Sequence, residues 1–492
     1  MAIDAFEPHP LVRLLGMPAV EFTAADLVRA AEQLELRQVN LRYVGGDGRL
    51  KTLAFGITSR AHLTEVLVRG ERVDGSSVFA GTDADASDVY VVPRYRTAFV
   101  NPFGERPSLD LLCSFYDEDG TPLRHAREQI VRKAAEALQA ETGMTLEAFG
   151  ELEYYLVDSP SRIYPVEEER GYQESGPFAK GERVREQVLG HLTAMGVPLK
   201  YAHGEVGGIL EEDRQLVQHE IEFQPVPVEQ AADHLVLAKW VVREVAAAHG
   251  LEATFAPSVS SGGAGNGLHV HSRLVRNGAS TIVRRDGLND TGRRLVAGYL
   301  SAARALTAFG NTVPTSYLRF ADGDESPGAI TWAEKDRTGL VRVPLAWNGD
   351  VLPGMVAHAN PAGSAPVPEP DVHPQTVEFR LGDGSADVHL LLAGMAVAVR
   401  RGLIDDGSLE LAERLSTGDS DDVEQLPTSC AESADALDAE RALFEAEGVF
   451  PAALLDAVIA GLREIDEATP AEALAEDGSA REELVRRHWH VG

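Results

Sequence analysis

Charged or histidine side chains recur two residues apart in four strand-like stretches of this chain: GELEYYL with Glu151 and Glu153, QHEIEF with Glu220 and Glu222, NGLHVHSRL with His269 and His271, and TVEFRLGDGSA with Glu378 and Arg380. In an extended strand residues i and i+2 face the same way, so each pair can aim at one point. That pattern predicts a strand-built site for metal and phosphate.

The chain has 492 residues and 44% hydrophobic content, enough for one large domain and a smaller one. Its 45 basic and 77 acidic residues leave a net charge of -32, which repels nucleic-acid backbones and anionic lipid. Neither nucleic acid nor a membrane is an expected partner. The opening MAIDAFEPHPLVRLLG lacks a charged n-region followed by a long apolar stretch, and the longest apolar run, Leu390 to Val399, is too short to cross a bilayer. A cytoplasmic location is the expectation. Cys113 and Cys430 lie far apart without CxxC spacing, which excludes a disulfide framework or a cysteine-zinc site.

Thr23 can cap a helix running to about Glu35, after which RQVNLRYV and GRLKTLAF read as two strands across the turn Gly45-Gly46-Asp47-Gly48. A strand-and-turn stretch follows, to a boundary at the Asp117-Glu118-Asp119-Gly120 turn. Helical periodicity then marks Arg124 to Glu141, Glu229 to Ala248 and Asn289 to Ala308. Asp405 to Glu424 reads as a solvated loop, and Glu432 to Ile465 as helix.

Carboxylates bind hard cations such as Mg²⁺ or Mn²⁺, which in turn neutralise phosphates. Glu151, Glu153, Glu205, Glu220 and Glu378 are the candidate ligands, with the imidazole of His269. Such a mixed set fits two or three ions better than one. A lone Glu in an acidic chain usually points to solvent, but Glu151 and Glu153 alternate with Leu152 and run into Tyr154-Tyr155-Leu156, so this strand is sheltered. The histidine pair follows SGGAGNG, a turn whose backbone can approach a ligand closely. No βαβ unit surrounds that turn and no GxxxxGK[ST] occurs, which rejects a dinucleotide fold and a P-loop. Arg319, Arg337, Arg342 and Arg380 supply planar guanidinium groups suited to carboxylate and phosphoryl oxygens. Between them ADGDESPGA reads as a flap carrying Glu325.

In this order the motifs resemble the glutamine synthetase family along nearly the whole chain. VDGSSVFAG with SDVYVVP is similar to the end of its N-terminal β-grasp domain; GELEYYL, HGEV and QHEI resemble its ion-binding motifs. ATFAPSVSSGGAGNGLHVHSRL, NTVPTSYLRF, GDESPGAITWAEKDRTGLVRVP and TVEFRLGDGSADVHLLLAGMAVAV resemble its substrate loop, substrate arginine, flap and last metal strand. The resemblance implies an α+β fold, with a β-grasp domain over 1–119 and, over 120–492, a catalytic domain built as an antiparallel half-barrel with helices. It implies that Glu153, Glu205 and Glu220 hold one ion, Glu151, His269 and Glu378 a second, and that His271 and Ser272 lie by the nucleotide. Gly265, Arg319 and Glu153 would serve the glutamate site; Arg337, Arg342 and Arg380 would face the γ-carboxylate and the transferring phosphoryl group, with Arg337 and Arg342 also on ATP. Glu325 would close the flap and take a proton from the attacking amine. The implied reaction uses ATP to make γ-glutamyl phosphate, which an amine then attacks. A homo-oligomer of two stacked hexameric rings, with active sites between subunits, is implied too.

Several positions depart from the family. Ammonium-using members carry an aspartate early in the first hairpin turn, where this chain has Gly45; Asp47 is the nearest acid. Ala264 stands for the usual asparagine, Asn266 for a small residue, and Arg273 for a serine near ATP; the Glu205 to Glu220 segment is longer, and no tyrosine follows Tyr317 to serve as an adenylylation acceptor. The expectation is a γ-glutamyl-amine ligase whose acceptor is larger than ammonia: a polyamine, ethanolamine or an alkylamine. The alternatives are an ordinary glutamine synthetase in which Asp47 compensates, a ligase for another carboxylic acid, and a non-catalytic structural or regulatory relative.

Overall fold

A computed structural model of the chain describes residues 3–79, 87–260, 263–284, 287–322, 327–346, 350–363, 373–416, 423–469 and 478–492. The N-terminal part is built on a six-stranded sheet: β1 (Gln38–Val44), β2 (Leu50–Gly56), β3 (Glu71–Asp74), β4 (Asp88–Pro93), β5 (Phe99–Asn101) and β6 (Ser108–Tyr116). Their order is β2-β1-β6-β4-β3, with β5 beside β6 and β1 parallel to β6. This is the β-grasp arrangement that the resemblance implies. Val39, Leu41, Leu109 and Leu111 bury one face against the Ala24–Gln33 helix. That helix starts at a capping box in which Thr23 and Asp26 exchange side-chain and backbone bonds.

The larger sheet has ten strands: β7 (Thr145–Asp158), β8 (Leu199–Leu210), β9 (Gln215–Phe223), β10 (Val226–Pro227), β11 (Glu252–Thr254), β12 (Gly267–Arg276), β13 (Ala279–Ser280) and, beyond the small ribbon of β14 (Val283–Arg284) and β15 (Gly287–Leu288), β16 (Trp332–Glu334), β17 (Val341–Val343) and β18 (Val377–Asp383). The main path β16-β17-β18-β12-β7-β9-β8 is antiparallel apart from β16 with β17. Alternation along the strands sends Leu152, Tyr154, Leu268, Val270, Ile221 and Phe379 into the helical layer. The same alternation turns the acidic and histidine side chains to the opposite, concave face.

Helices Arg127–Thr142, Val228–Ala248, Asp290–Gly310 and Val388–Ile404 form that layer. The last two meet backbone to backbone: a Cβ on Gly298 would lie 2.4 Å from the Ala398 carbonyl oxygen, and one on Gly402 would lie 2.2 Å from that of Arg294. Only glycine permits this approach. The apolar run Leu390 to Val399 lies inside the buried Val388–Ile404 helix, and among the described residues no helix is long and apolar enough to cross a membrane. The N-terminal part is joined to the Val228–Ala248 helix by the bidentate pair of Arg94 with Asp233, at 2.7 and 2.9 Å, and by Arg42 lying over the Trp240 ring.

Two segments differ from the sequence reading. The expected loop from Asp405 to Glu424 contains a helix, Ser408–Arg414, because buried Ala412 offers its carbonyl to the Trp332 indole at 2.6 Å. The expected helix from Glu432 to Ile465 is two, Cys430–Glu445 and Ala452–Glu467. Positive φ at Glu447 and Gly448, followed by Pro451, ends the first and starts the second.

Candidate active site

The register of the central sheet assembles the site row by row. Arg342 of β17 pairs with Glu378 of β18, Glu378 with His271 of β12, and His271 with Phe149 of β7. In the next row His269 pairs with Glu151 and Glu151 with Glu222 of β9; in the third, Glu153 pairs with Glu220 and Glu220 with His203 of β8. Four separate i, i+2 pairs thus become one patch. A bulge where β12 meets β18 shifts the register between Leu268 and Val270, beside His269.

Within the patch, donor atoms of Glu151, His271 and Glu378 lie within 4.8 Å of one another, as do those of His203, Glu205 and Glu220, and those of Glu151, Glu220 and Glu222. The sequence grouping sets His269 with Glu151 and Glu378. The structure turns both imidazoles to that pair: His271 Nε2 is 2.9 Å from Glu151 Oε1, and His269 Nδ1 is 3.2 Å from Glu151 Oε2 and 3.7 Å from Glu378 Oε1. His271 is further fixed by Thr376 Oγ1 at 2.9 Å and by stacking on Phe149.

Electrostatics mark the patch as a place for cations. Burial, then Glu220 and Glu205, push the Glu153 carboxyl up to about 8; burial, with Glu151 and Glu205 nearby, pushes Glu220 up to about 7 against the pull of His203. Glu151 behaves oppositely: burial raises it, but His271 and His269 outweigh this and hold it well below the usual carboxylate range. Carboxylates crowded so that neighbours resist ionisation are stabilised by a shared cation. Oxygen donors with imidazole fit Mg²⁺ or Mn²⁺.

Beside the patch lies a second convergence. A Cβ on Gly267 would sit 2.9 Å from His269 Nε2, 3.0 Å from Arg319 Nη2 and 3.1 Å from Glu153 Oε1, so the absent side chain leaves a cradle among an imidazole, a guanidinium and a carboxylate. Arg319 is buried, and its Nη1 has no hydrogen-bond partner among the described residues. A buried guanidinium nitrogen without a partner calls for an anion's oxygen. Gly265 packs directly on it, since a Cβ there would meet Arg319 Cγ at 2.9 Å and the Pro257 carbonyl oxygen at 2.3 Å.

The other expected residues divide. Arg342 and Arg380 both reach Glu378, at 2.7 and 2.9 Å. Arg337 is exposed at the turn before β17. Glu325 lies outside the described residues. Ser272 is corrected: strand alternation turns it away from His271 into the core, where its hydroxyl bonds Tyr299 at 2.7 Å. The departures at 264, 266 and 273 have structural partners: the Ala264 carbonyl takes the Tyr155 hydroxyl, Asn266 donates to the carbonyls of Thr254 and Ala256, and Arg273 pairs with Glu147.

Sequence reasoning misses His203, Gln218 and Gly267, and names Glu222 in a strand pair without counting it among the ligands. His203 and Glu205 carry the same i, i+2 signal as the other pairs, and Glu222 stands in one of them. It also misses Tyr172 and Tyr201, whose rings lie 5.3 and 5.7 Å from that of His203. Tyr172 comes from a loop distant in sequence, so no local pattern could reveal it.

Residues 124–352 match the glutamine synthetase catalytic domain, and residues 35–118 match the glutamine synthetase beta-grasp domain. The chain belongs to the glutamine synthetase family. Its activity class is accordingly that of an ATP-dependent glutamate-amine ligase. Glutamine synthetases of Staphylococcus epidermidis and Thermus thermophilus are 29% and 28% identical to it, over 67% and 66% of this chain and 73% and 72% of theirs. The fold is similar to that of the Plasmodium falciparum glutamine synthetase (TM-score 0.74, 19% identity, 92% of this chain and 97% of that one). It is also similar to ligand-free GmaS (TM-score 0.68, 19% identity, 90% and 95%). This glutamine synthetase family member is therefore a divergent one.

Proposed function

We propose that this protein joins the γ-carboxylate of L-glutamate to a primary amine larger than ammonia, through γ-glutamyl phosphate formed from ATP. The observation that carries the choice of acceptor is the first hairpin turn. Gly45 brings no carboxylate, and Asp47 is engaged within the turn, bonding Lys51 Nζ at 2.6 Å and accepting the Arg49 amide at 3.1 Å. A neutralised carboxylate is a poor ligand for ammonium, which disfavours the reading in which Asp47 compensates. Tyr172, whose ring lies 5.3 Å from that of His203, offers an aromatic face to a larger alkylammonium group, and Glu205 and Glu220, grouped with His203, offer negative charge.

In this reading Arg319 receives the α-carboxylate, the Gly265 carbonyl accepts from the α-amino group, and Arg337, Arg342 and Arg380 stabilise charge on the phosphoryl group during transfer. Bound at Glu151, Glu153, Glu205, Glu220, His269, His271 and Glu378, two or three divalent ions would supply neutralisation of the ATP phosphates. Glu325 shields the intermediate from water and takes the proton that the amine releases. A homo-oligomer would bring each first hairpin to a neighbour's cleft, and a cytoplasmic setting supplies ATP and glutamate.

The test is phosphate release from ATP with glutamate and a panel of amines that includes ammonium. Turnover with an alkylamine, ethanolamine or polyamine, well above that with ammonium, is the expected result. Ammonium as the best acceptor would overturn it.

A further inference from the structure

Residues 479–491 lie far in sequence from the site yet pack on the strand that carries Glu153, the loop that leads to Gly265 and the helix that carries Arg319. Leu484, on the Ser479–Arg487 helix, is 1% exposed and packs on Leu318, the neighbour of Arg319 in chain order. Val485 and Trp489 share a cluster with Ala256 and Val259, which begin the loop leading to Gly265, and with Tyr155, Leu216 and Ile209. The last two belong to the β8-β9 hairpin, which carries Glu205 and Glu220.

Polar bonds lock Trp489 in place. Its indole donates to Glu252 Oε1 at 2.8 Å, its carbonyl accepts the Thr254 hydroxyl, and the Arg214 guanidinium lies 5.4 Å from its ring centroid. The residues that follow are tied as well: the His490 carbonyl takes Arg49 Nη2 at 2.6 Å and the Val491 carbonyl takes Arg243 Nη2 at 2.8 Å. From Tyr155, in the same cluster as Trp489, a hydroxyl reaches the Ala264 carbonyl at 2.7 Å, one residue before Gly265. A continuous packed path therefore runs from Trp489 to the Gly265 loop, and a second from Leu484 to Arg319. Among the described residues, no hydrogen bond, ion pair or shared apolar cluster joins this segment to Glu151, His271, Glu378 or Arg342.

We propose that Trp489 and Leu484 are positioning residues for the amino-acid substrate, holding the Gly265 loop and Arg319 at the spacing that glutamate requires and leaving the phosphate side of the site untouched. The inference rests on the ligase reading and adds that affinity for the acid is set from the far end of the chain. It explains why Arg319 Nη1 can stay buried with no hydrogen-bond partner among the described residues: its helix is braced from behind by Leu484, which keeps the guanidinium in place.

Trp489→Ala and Trp489→Phe are compared with wild type in two measurements on the metal-loaded protein. Steady-state kinetics with the best amine should show the glutamate KM of Trp489→Ala raised about tenfold, with the ATP KM within about twofold and Trp489→Phe largely restored. Amide hydrogen exchange should show the peptide spanning Pro257 to Asn266 exchanging faster in Trp489→Ala. Should Trp489→Ala fail to fold, Arg214→Ala, which removes the cation near the indole together with its pair to Glu211, is expected to shift the same two readouts in the same direction by a smaller factor, with Glu211→Gln, which removes the pair alone, leaving both near wild type. Parallel rises in both KM values, or unchanged exchange in that peptide, overturn the inference. If wild type shows no glutamate-dependent turnover with any amine, the ligase reading falls, and the exchange measurement alone decides for or against the brace.

Discussion

Gln218 Nε2 lies 3.0 Å from Glu153 Oε2 and also 3.0 Å from the carbonyl oxygen of Gly265, so one side-chain amide ties an ion-site carboxylate to the glutamate loop. Its Oε1 in turn accepts the Gly207 amide at 3.0 Å. Gln218→Leu removes this partner from the Gly207 amide, the Gly265 carbonyl and Asn266 Oδ1, a buried group left unsatisfied costing about 1–3 kcal/mol, while Glu153 Oε2 keeps the Gly267 amide. Roughly a tenfold to hundredfold fall in kcat/KM for glutamate is expected. Steady-state kinetics check it, and values within about twofold of wild type would refute the coupling.

Mutual repulsion of carboxylates predicts opposite effects with and without cation. Burial and the neighbours Glu220 and Glu205 make ionisation of Glu153 unfavourable in the cluster. Glu153→Gln removes that repulsion while keeping an acceptor for the Gly267 amide, which donates to Glu153 at 2.7 Å. In chelator the variant should melt above wild type; with saturating Mg²⁺ or Mn²⁺ the order should reverse, because the wild type gains more from binding. Activity should be lost. Equal metal-induced rises in Tm for the two proteins would remove Glu153 from the ion sites.

Much of this site is legible in the amino-acid sequence because strands have period two: Glu151 with Glu153, Glu220 with Glu222 and His269 with His271 announce a shared face by spacing alone. Which pairs stand side by side is a matter of register, and spacing carries none. The sequence grouping therefore sets His269 with Glu151 and Glu378, where cross-strand pairing also sets His271 against Glu378. Ser272 is misplaced for a related reason: adjacency to His271 suggests a shared role, though adjacent strand residues face opposite ways. Tyr172 and Trp489 reach their places through tertiary packing, which leaves no local pattern. The break at Glu447 and Gly448 is hidden because apolar periodicity resumes on both sides of it.

Restoring a carboxylate in the first turn should move acceptor preference toward ammonium. A Cβ on Gly45 would meet Lys51 Cε at 2.5 Å and Asp47 Oδ1 at 2.8 Å, both at the ends of side chains that can swing aside. In Gly45→Asp the new carboxylate competes with Asp47 for Lys51, leaving one acidic group available. The ratio of kcat/KM for ammonium to that for the best amine should rise at least about tenfold, the scale of one charge-assisted contact. An unchanged ratio, in a variant that still turns over the larger amine, would mean that position 45 does not set the acceptor.

Acid should destabilise the protein through His219. This ring, on β9, is fully buried and stacked on Tyr154, with Nδ1 3.1 Å from Arg185 Nη1; burial, then Arg185 and His203, push its pKa down to about 3 from an ordinary 6.5. The folded state thus keeps the ring neutral where the unfolded chain protonates it. Its contribution is fully present above pH 6.5 and is lost as pH falls from 6.5 toward 3. At about 1.4 kcal/mol per unit, roughly 3 kcal/mol is lost by about pH 4 from this group alone. His219→Asn keeps an acceptor near the Nδ1 position but cannot titrate. Urea midpoints measured in chelator from neutral pH down to about pH 4 should fall more steeply for wild type than for His219→Asn. Parallel slopes would show that the ring is not held neutral by its surroundings.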